Sequence, residues 1–85
     1  MEVYPSSKFR RSFKKLSRLI QERAIARDLV FRADIFDPRL QTHKLQGGKR
    51  EEWAYSVDYS YRVKFIFFGG DAVVYIDIGT HSEIY

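Results

Sequence analysis

The sequence predicts a two-layer α+β domain: a short N-terminal strand and a two-helix hairpin packed on one face of an antiparallel sheet, in the order β-α-α-β-β-β. Three observations predict it. Apolar residues recur at helical spacing through the first part of the chain, and at strand spacing through the last part. The third observation is size, since 85 residues can enclose one core and leave no room for a second domain. Residues 1–85 are therefore expected to form one unit.

Val3 to Pro5 is β-prone, and either Ser6 or Ser7 after it can accept a bond from the free N–H groups of a helix start. Phe9, Phe13, Leu16 and Ile20 follow at steps of four, three and four, with basic residues between them, which describes an amphipathic helix. Ile25, Leu29, Ala33 and Phe36 continue the apolar spacing, and Asp37-Pro38 should end it. A break near Ser17 is expected because one unbroken helix of about thirty residues would be long for so small a domain. From Arg39 to Arg50 periodicity disappears and Gly47-Gly48 marks a surface loop. Trp53, Tyr55 and Val57 then alternate with Ala54, Ser56 and Asp58. Val63, Phe65 and Phe67 alternate with Arg62, Lys64 and Ile66, Gly69-Gly70 turns the chain, and Val73 to Ile78 returns as the last strand.

Seven Phe, six Tyr and one Trp within 45% hydrophobic residues exclude a disordered chain. No cysteine is present, so disulfides and thiolate metal sites are excluded. No segment approaches the ~20 apolar residues of a membrane span, and no long apolar run follows the basic N-terminal residues. The expected location is the cytoplasm, with no membrane contact. Fifteen Lys and Arg against eleven Asp and Glu give a net charge of +4. The distribution says more, because Lys8, Arg10, Arg11, Lys14, Lys15 and Arg18 form one stretch without an acid. That surface suits nucleic acid or an acidic protein segment; the plain alternative is a solvated helix face.

If Gly69 and Gly70 are the two turn residues, Arg62 faces Asp77, with His81 just beyond. If Tyr59 and Ser60 turn the preceding hairpin, Arg62 also lies beside Val57, and its strand is central. Arg62 and Lys64 share the face opposite Val63, Phe65 and Phe67, which makes a basic, open sheet face. By itself Arg62 reads as half of a cross-strand ion pair, and His81 as a solvated histidine. Together they suit phosphodiester cleavage: the imidazole exchanges a proton near neutral pH, and the guanidinium stabilises charge building on phosphorus.

Three segments carry a family resemblance. Gly79-Thr80-His81-Ser82-Glu83-Ile84-Tyr85 resembles the closing motif of the YafQ branch of the RelE toxin family, where Gly-Thr-His is followed by an aliphatic and an aromatic residue. His43-Lys44-Leu45-Gln46-Gly47 is similar to that family's His-x-Leu-x-Gly segment, and Tyr61-Arg62-Val63-Lys64-Phe65 to a strand of RelE and YoeB relatives. The resemblance spans nearly the whole chain. It implies a microbial RNase fold and a toxin of a type II toxin–antitoxin system. The implied activity is ribosome-dependent, metal-independent cleavage of messenger RNA without a cofactor, by attack of the ribose 2′-hydroxyl on the adjacent phosphate. The implied partners are a cognate antitoxin, in a hetero-oligomer, and the ribosome with its message.

Carried over by position, His81 would be general acid or base and Arg62 the phosphorane-stabilising cation. His43 would be a contributing loop histidine, and Tyr85 an aromatic that orients or stacks on a nucleotide. Lys44, Lys49, Arg50 and Lys64 would meet phosphates beside the site, and Lys8, Arg10, Arg11, Lys14 and Lys15 would add an RNA-binding surface. The sequence also departs from the YafQ pattern. Asp77 stands where that branch has a basic residue, and Ser56, Ser60 and Tyr61 stand where it has a second histidine and an acid followed by tryptophan. Two alternatives follow: a ParE-like poison of DNA gyrase, or a catalytically weak relative that only binds antitoxin.

Overall fold

The computed structural model describes residues 1–85 and has the predicted α+β architecture. Strand β1 (Glu2–Pro5) leads into helices α1 (Ser7–Lys14) and α2 (Arg18–Ala33). A 3-10 turn (Pro38–Leu40) follows, then strands β2 (His43–Lys44), β3 (Trp53–Ser56), β4 (Tyr61–Phe68) and β5 (Ala72–Thr80), and a last short helix α3 (His81–Ile84). The five strands lie in the order β1-β5-β4-β3-β2, so β4 is central. The sheet is mixed, because β1 runs parallel to β5 along one edge. β2 and α3 are additions to the predicted order. Two residues of strand and four of helix are too short to show any apolar period.

Both helix starts are built by serine. Ser6 Oγ accepts the Phe9 N–H at 3.0 Å and donates to the Ile76 carbonyl at 2.9 Å, tying the helix entry to β5. Ser17 caps α2, its Oγ accepting the Ile20 N–H at 3.3 Å, so the break falls where length alone had put it. α2 stops at Ala33, earlier than Asp37-Pro38 predicts. Asp34 takes an extended conformation and its carboxylate accepts the Phe36 N–H at 3.1 Å, a local turn that competes with another helical turn. Asp37 and Pro38 open the 3-10 turn instead.

The packed face of α2 also differs from the expected one. Ala24 and Phe31 are buried, whereas Ile25, Leu29 and Phe36 are 55%, 66% and 60% exposed. Two apolar stripes compete on this helix, and the sheet selects the one carrying the larger ring. Phe31 is fully buried, stacked 4.7 Å from the Tyr55 ring, with its edge toward Phe65 at 4.9 Å and Tyr75 at 5.7 Å. Val57, Val63, Val73, Ile78 and Leu40 complete the core, flanked by Phe9, Phe13 and Leu16. Inside it the Tyr55 hydroxyl donates to the Tyr75 hydroxyl at 2.9 Å, and that donates to Asp28 at 2.7 Å. Burial pushes both phenols far above their usual range, so both stay neutral donors.

The register is shifted from the predicted one. Arg62 faces Gly79 on β5 and Ser56 on β3, while Lys64 faces Asp77. Both loops are longer than two residues: Gly69 (φ 70°) turns the β4–β5 hairpin together with Gly70 and Asp71, and four residues join β3 to β4. A bulge between Lys64 and Phe65 then resets the pairing so that Phe65 meets Tyr75.

Phe31 is the residue on which the two layers close. Phe31→Ala should cost about 3–5 kcal/mol of stability, read as a lower urea midpoint with little change in slope.

Candidate functional site

The site grows from the central strand. Val63 and Phe65 enter the core, so Arg62 and Lys64 fall on the opposite face. At the start of β4, Asp58 organises the turn that positions Arg62. One Asp58 oxygen accepts the Ser60 and Tyr61 N–H groups at 2.9 and 2.8 Å, and the other pairs with Arg23 at 3.0 Å. Burial alone would raise the Asp58 carboxyl. The bonds from Tyr61, Ser60 and Arg23 outweigh it and hold the group below its usual range. The turn in turn offers its carbonyls to Arg62, whose Nη1 lies 2.7, 3.1 and 3.0 Å from the oxygens of Asp58, Tyr59 and Tyr61. All three bonds use Nη1, which leaves Nε and Nη2 without a protein partner, and Arg62 lines a hollow together with Ser60, Thr80, His81 and Ser82.

His81 enters that hollow because the same turn fixes it. Its N–H donates to the Ser60 carbonyl at 2.9 Å, and it is the first residue of α3. Glu83 closes the helix start by accepting the Thr80 N–H at 2.8 Å and the Thr80 hydroxyl at 2.9 Å. Those two bonds lower the Glu83 carboxyl below its ordinary value. A Cβ on Gly79 would meet Glu83 Oε1 at 3.0 Å and its Cβ at 3.2 Å, so a larger residue would have to push Glu83 back by a few tenths of an ångström. The Gly-Thr-His run is therefore a device for aiming His81. The buried Ile84 anchors α3, and Tyr85 emerges from its end.

Tyr85 joins the two histidines. Its ring lies edge-on to His81 with centroids 4.2 Å apart, and edge-on to His43 at 5.5 Å. Its hydroxyl is 2.6 Å from His43 Nε2. His43 Nδ1 lies 2.8 Å from the Gln41 carbonyl, which can only accept, so Nδ1 carries a proton and Nε2 of the neutral ring accepts from Tyr85. Gln41 stands in the left-handed region at φ 51°, and its side-chain oxygen accepts from Ser56 at 3.2 Å. Sequence reasoning missed Gln41 because no pattern marks a left-handed glutamine. It also missed Asp58 as a turn organiser, although Asp two residues before Ser60 is a recognisable turn signal.

The structure thus brings His43, His81 and Tyr85 into one cluster, with Arg62 beside His81. Asp77 does not join them. It meets Lys64 rather than Arg62 in register, accepts from Ser12 at 2.6 Å and from its own chain at Ile78, and pairs with Lys8 at 3.6 Å. The expected facing of Arg62 and Asp77 is corrected by the register shift. Several expected phosphate contacts are internally paired: Lys44 with Glu51 at 3.0 Å, Arg50 with Glu52 at 3.1 Å, and Lys64 with Glu52 at 3.8 Å. Lys49 is exposed. Arg10, Arg11, Lys14 and Lys15 are exposed on α1, which packs on the core side through Phe9 and Phe13. They form a surface separate from the cluster.

No protein-family model matches the sequence, and no curated protein matches it. Solved structures do match in fold. The YoeB/ParE toxin from Agrobacterium tumefaciens superposes with a TM-score of 0.76 at 12% identity, covering 95% of this chain and 99% of that one. RelE in the archaeal RelE–RelB complex from Pyrococcus horikoshii OT3 gives 0.73 at 11% identity, over 93% and 92% of the two chains. YafQ from E. coli strain BL21(DE3) gives 0.71 at 11% identity, over 99% and 97%. The chain has the fold shared by these toxins.

Two measurements check the geometry. Nitrogen-correlated NMR of the imidazoles at pH 8 should find His43 as the Nδ1–H tautomer, and Tyr85→Phe should shift its Nε2 resonance while leaving the fold intact. Asp58→Ala should cost about 1–2 kcal/mol at pH 7. Because the folded carboxyl is held low, its stabilisation is present above the ordinary carboxylate pKa and fades as pH falls through the lowered value. The gap between wild type and Asp58→Ala in urea denaturation should therefore close on acidification.

Proposed function

We propose that this chain is the toxin of a type II toxin–antitoxin system, an endoribonuclease that cleaves messenger RNA in the ribosomal decoding site. The observation that carries the proposal is the joined His43–Tyr85–His81 cluster, with Arg62 presenting free guanidinium donors beside His81. The RelE-type fold supports it.

Cleavage follows from what these groups do. A base removes the proton of a ribose 2′-hydroxyl, whose oxygen attacks the adjacent phosphorus. An acid protonates the departing 5′-oxygen, leaving a 2′,3′-cyclic phosphate and a 5′-hydroxyl. His81 serves one of the two proton transfers. His43, with its Nδ1 proton committed to Gln41 and its Nε2 to Tyr85, offers a second imidazole whose tautomer is fixed in advance. Arg62 places Nε and Nη2 where negative charge develops on the phosphorane. Tyr85 offers its ring face to a base, a contact worth roughly 1–3 kcal/mol elsewhere. The mechanism needs no metal.

An antitoxin is the partner this surface suits. The Ile25, Leu29 and Phe36 side chains left exposed on and after α2 would take the apolar face of a partner helix, and the bases of α1 would take its acidic flank. The reading implies a cytoplasmic protein, found with its antitoxin as a hetero-oligomer.

Primer-extension mapping of a translated message tests the activity. Wild type should cut only on ribosomes, and His81→Ala and Arg62→Ala should each lower cutting about 10²–10⁴-fold, His81→Ala with an unchanged melting temperature. No cuts by wild type would overturn the nuclease reading, and inhibition of DNA gyrase supercoiling would then favour a ParE-like poison. Growth arrest relieved by the adjacent small reading frame would identify the antitoxin.

A further inference from the structure

We propose that Arg50 and Lys64 form a phosphate subsite for the bound RNA strand, and that Glu52 occupies this subsite in the free protein. The inference rests on the RNA-cleaving function above and deepens it.

Glu52 precedes β3, and its carbonyl accepts the Leu45 N–H at 2.7 Å, which pins the backbone at this point. Its two carboxylate oxygens part between two cations: Oε2 meets Arg50 Nε at 3.1 Å, and Oε1 meets Lys64 Nζ at 3.8 Å. A single anion thus bridges a loop arginine and a lysine of the central strand. The three side chains line a polar cleft of about 290 Å³ together with Ile84 and Tyr85. Gly48 closes in from the loop: a Cβ there would lie 3.8 Å from Glu52 Oε1 and 3.2 Å from the Arg50 carbonyl. The space beside the carboxylate is therefore bounded on the loop side by backbone.

Burial explains why an acid sits there. The Lys64 side chain is only 19% exposed, so much of its stem is packed and a counter-charge at its ammonium is favourable. Arg50 is 58% exposed, and the Lys64 contact is long, so the bridge is weakly held and can be exchanged. A phosphodiester spreads the same single negative charge over two oxygens, and can meet the same two donors. Tyr85 links this cleft to the cluster through its hydroxyl on His43, so a phosphate here is a neighbour of the scissile one. Displaced Glu52 swings to solvent as the RNA enters. The other acid–base pair of the loop, Lys44 with Glu51, joins two side chains that are 52% and 72% exposed and shields no withdrawn charge.

The test is binding of a single-stranded 2′-O-methyl oligoribonucleotide, which has no hydroxyl to attack with, at low ionic strength and without ribosomes. Glu52→Gln should tighten binding roughly two- to fivefold, the range that release of one weak ion pair allows. Arg50→Ala and Lys64→Ala should weaken it, and in either background the gain from Glu52→Gln should vanish. Glu2→Gln, the same charge change on edge strand β1, controls for net charge. A gain from Glu2→Gln equal to that from Glu52→Gln, or a gain that survives Lys64→Ala, overturns the proposal. Should Glu52→Gln destabilise the fold, the Arg50 Nε–H resonance of wild type gives the same decision: it should move on adding the oligonucleotide, and an unmoved resonance at saturation overturns the subsite. Loss of ribosomal cleavage activity in wild type would remove the nuclease reading and leave these binding results intact.

Discussion

The structure depends on the alternation of one strand. In β4, successive side chains leave the backbone on opposite sides, so a core of Val63 and Phe65 obliges Arg62 and Lys64 to face away from the helices. Phe31 stacks on Tyr55 and meets Phe65 edge-on, which fixes β4 against α2 and prevents a slip of one residue that would drive Arg62 into the apolar layer. Packing on one side of the sheet thus decides where charge stands on the other.

Around that strand, backbone groups position the side chains of the candidate site. Asp58 shapes a turn whose carbonyls hold Arg62 by one nitrogen, and Ser60 of the same turn receives the first N–H of α3. The guanidinium and His81 are thereby oriented by one loop, although they are separated in sequence by most of a hairpin. His43 arrives from the opposite edge of the sheet, from a strand of two residues, and is steadied by Gln41 behind and Tyr85 in front. Three remote segments converge because α3, which follows β5, carries Tyr85 to His43 on β2.

Much of this was legible in residue order. A serine cap at Ser6 or Ser7 follows from local chemistry, a break near Ser17 from helix length, and the central place of the Arg62 strand from the spacing of the two turns. The register was not legible, because it turns on whether a glycine hairpin uses two residues or three, and Asp71 gives no sign of belonging to the turn. The bulge beside Lys64 then compounds the shift, which is why Asp77 engages α1 instead of Arg62. The choice between the two stripes of α2 was hidden for a different reason. Ile25 and Leu29 are as apolar as the buried set, and only the facing rings of Tyr55, Phe65 and Tyr75 favour Phe31. Of the site, the motif residues were visible, whereas Gln41, Glu52 and Asp58 act through backbone geometry or through partners distant in sequence.

The pairing of β1 with β5 also imposes an order on biogenesis. The first strand finds its only neighbour in residues 72–75, with Glu2 and Ser6 donating to carbonyls of Asp71 and Tyr75. Until those residues have left the ribosome, β1 has no partner and α1 has no Tyr75 or Asp77 to rest on. Contacts of such long sequence separation form late. His81 and Tyr85 follow β5 directly, so the cluster assembles only once that strand has taken its place between β1 and β4.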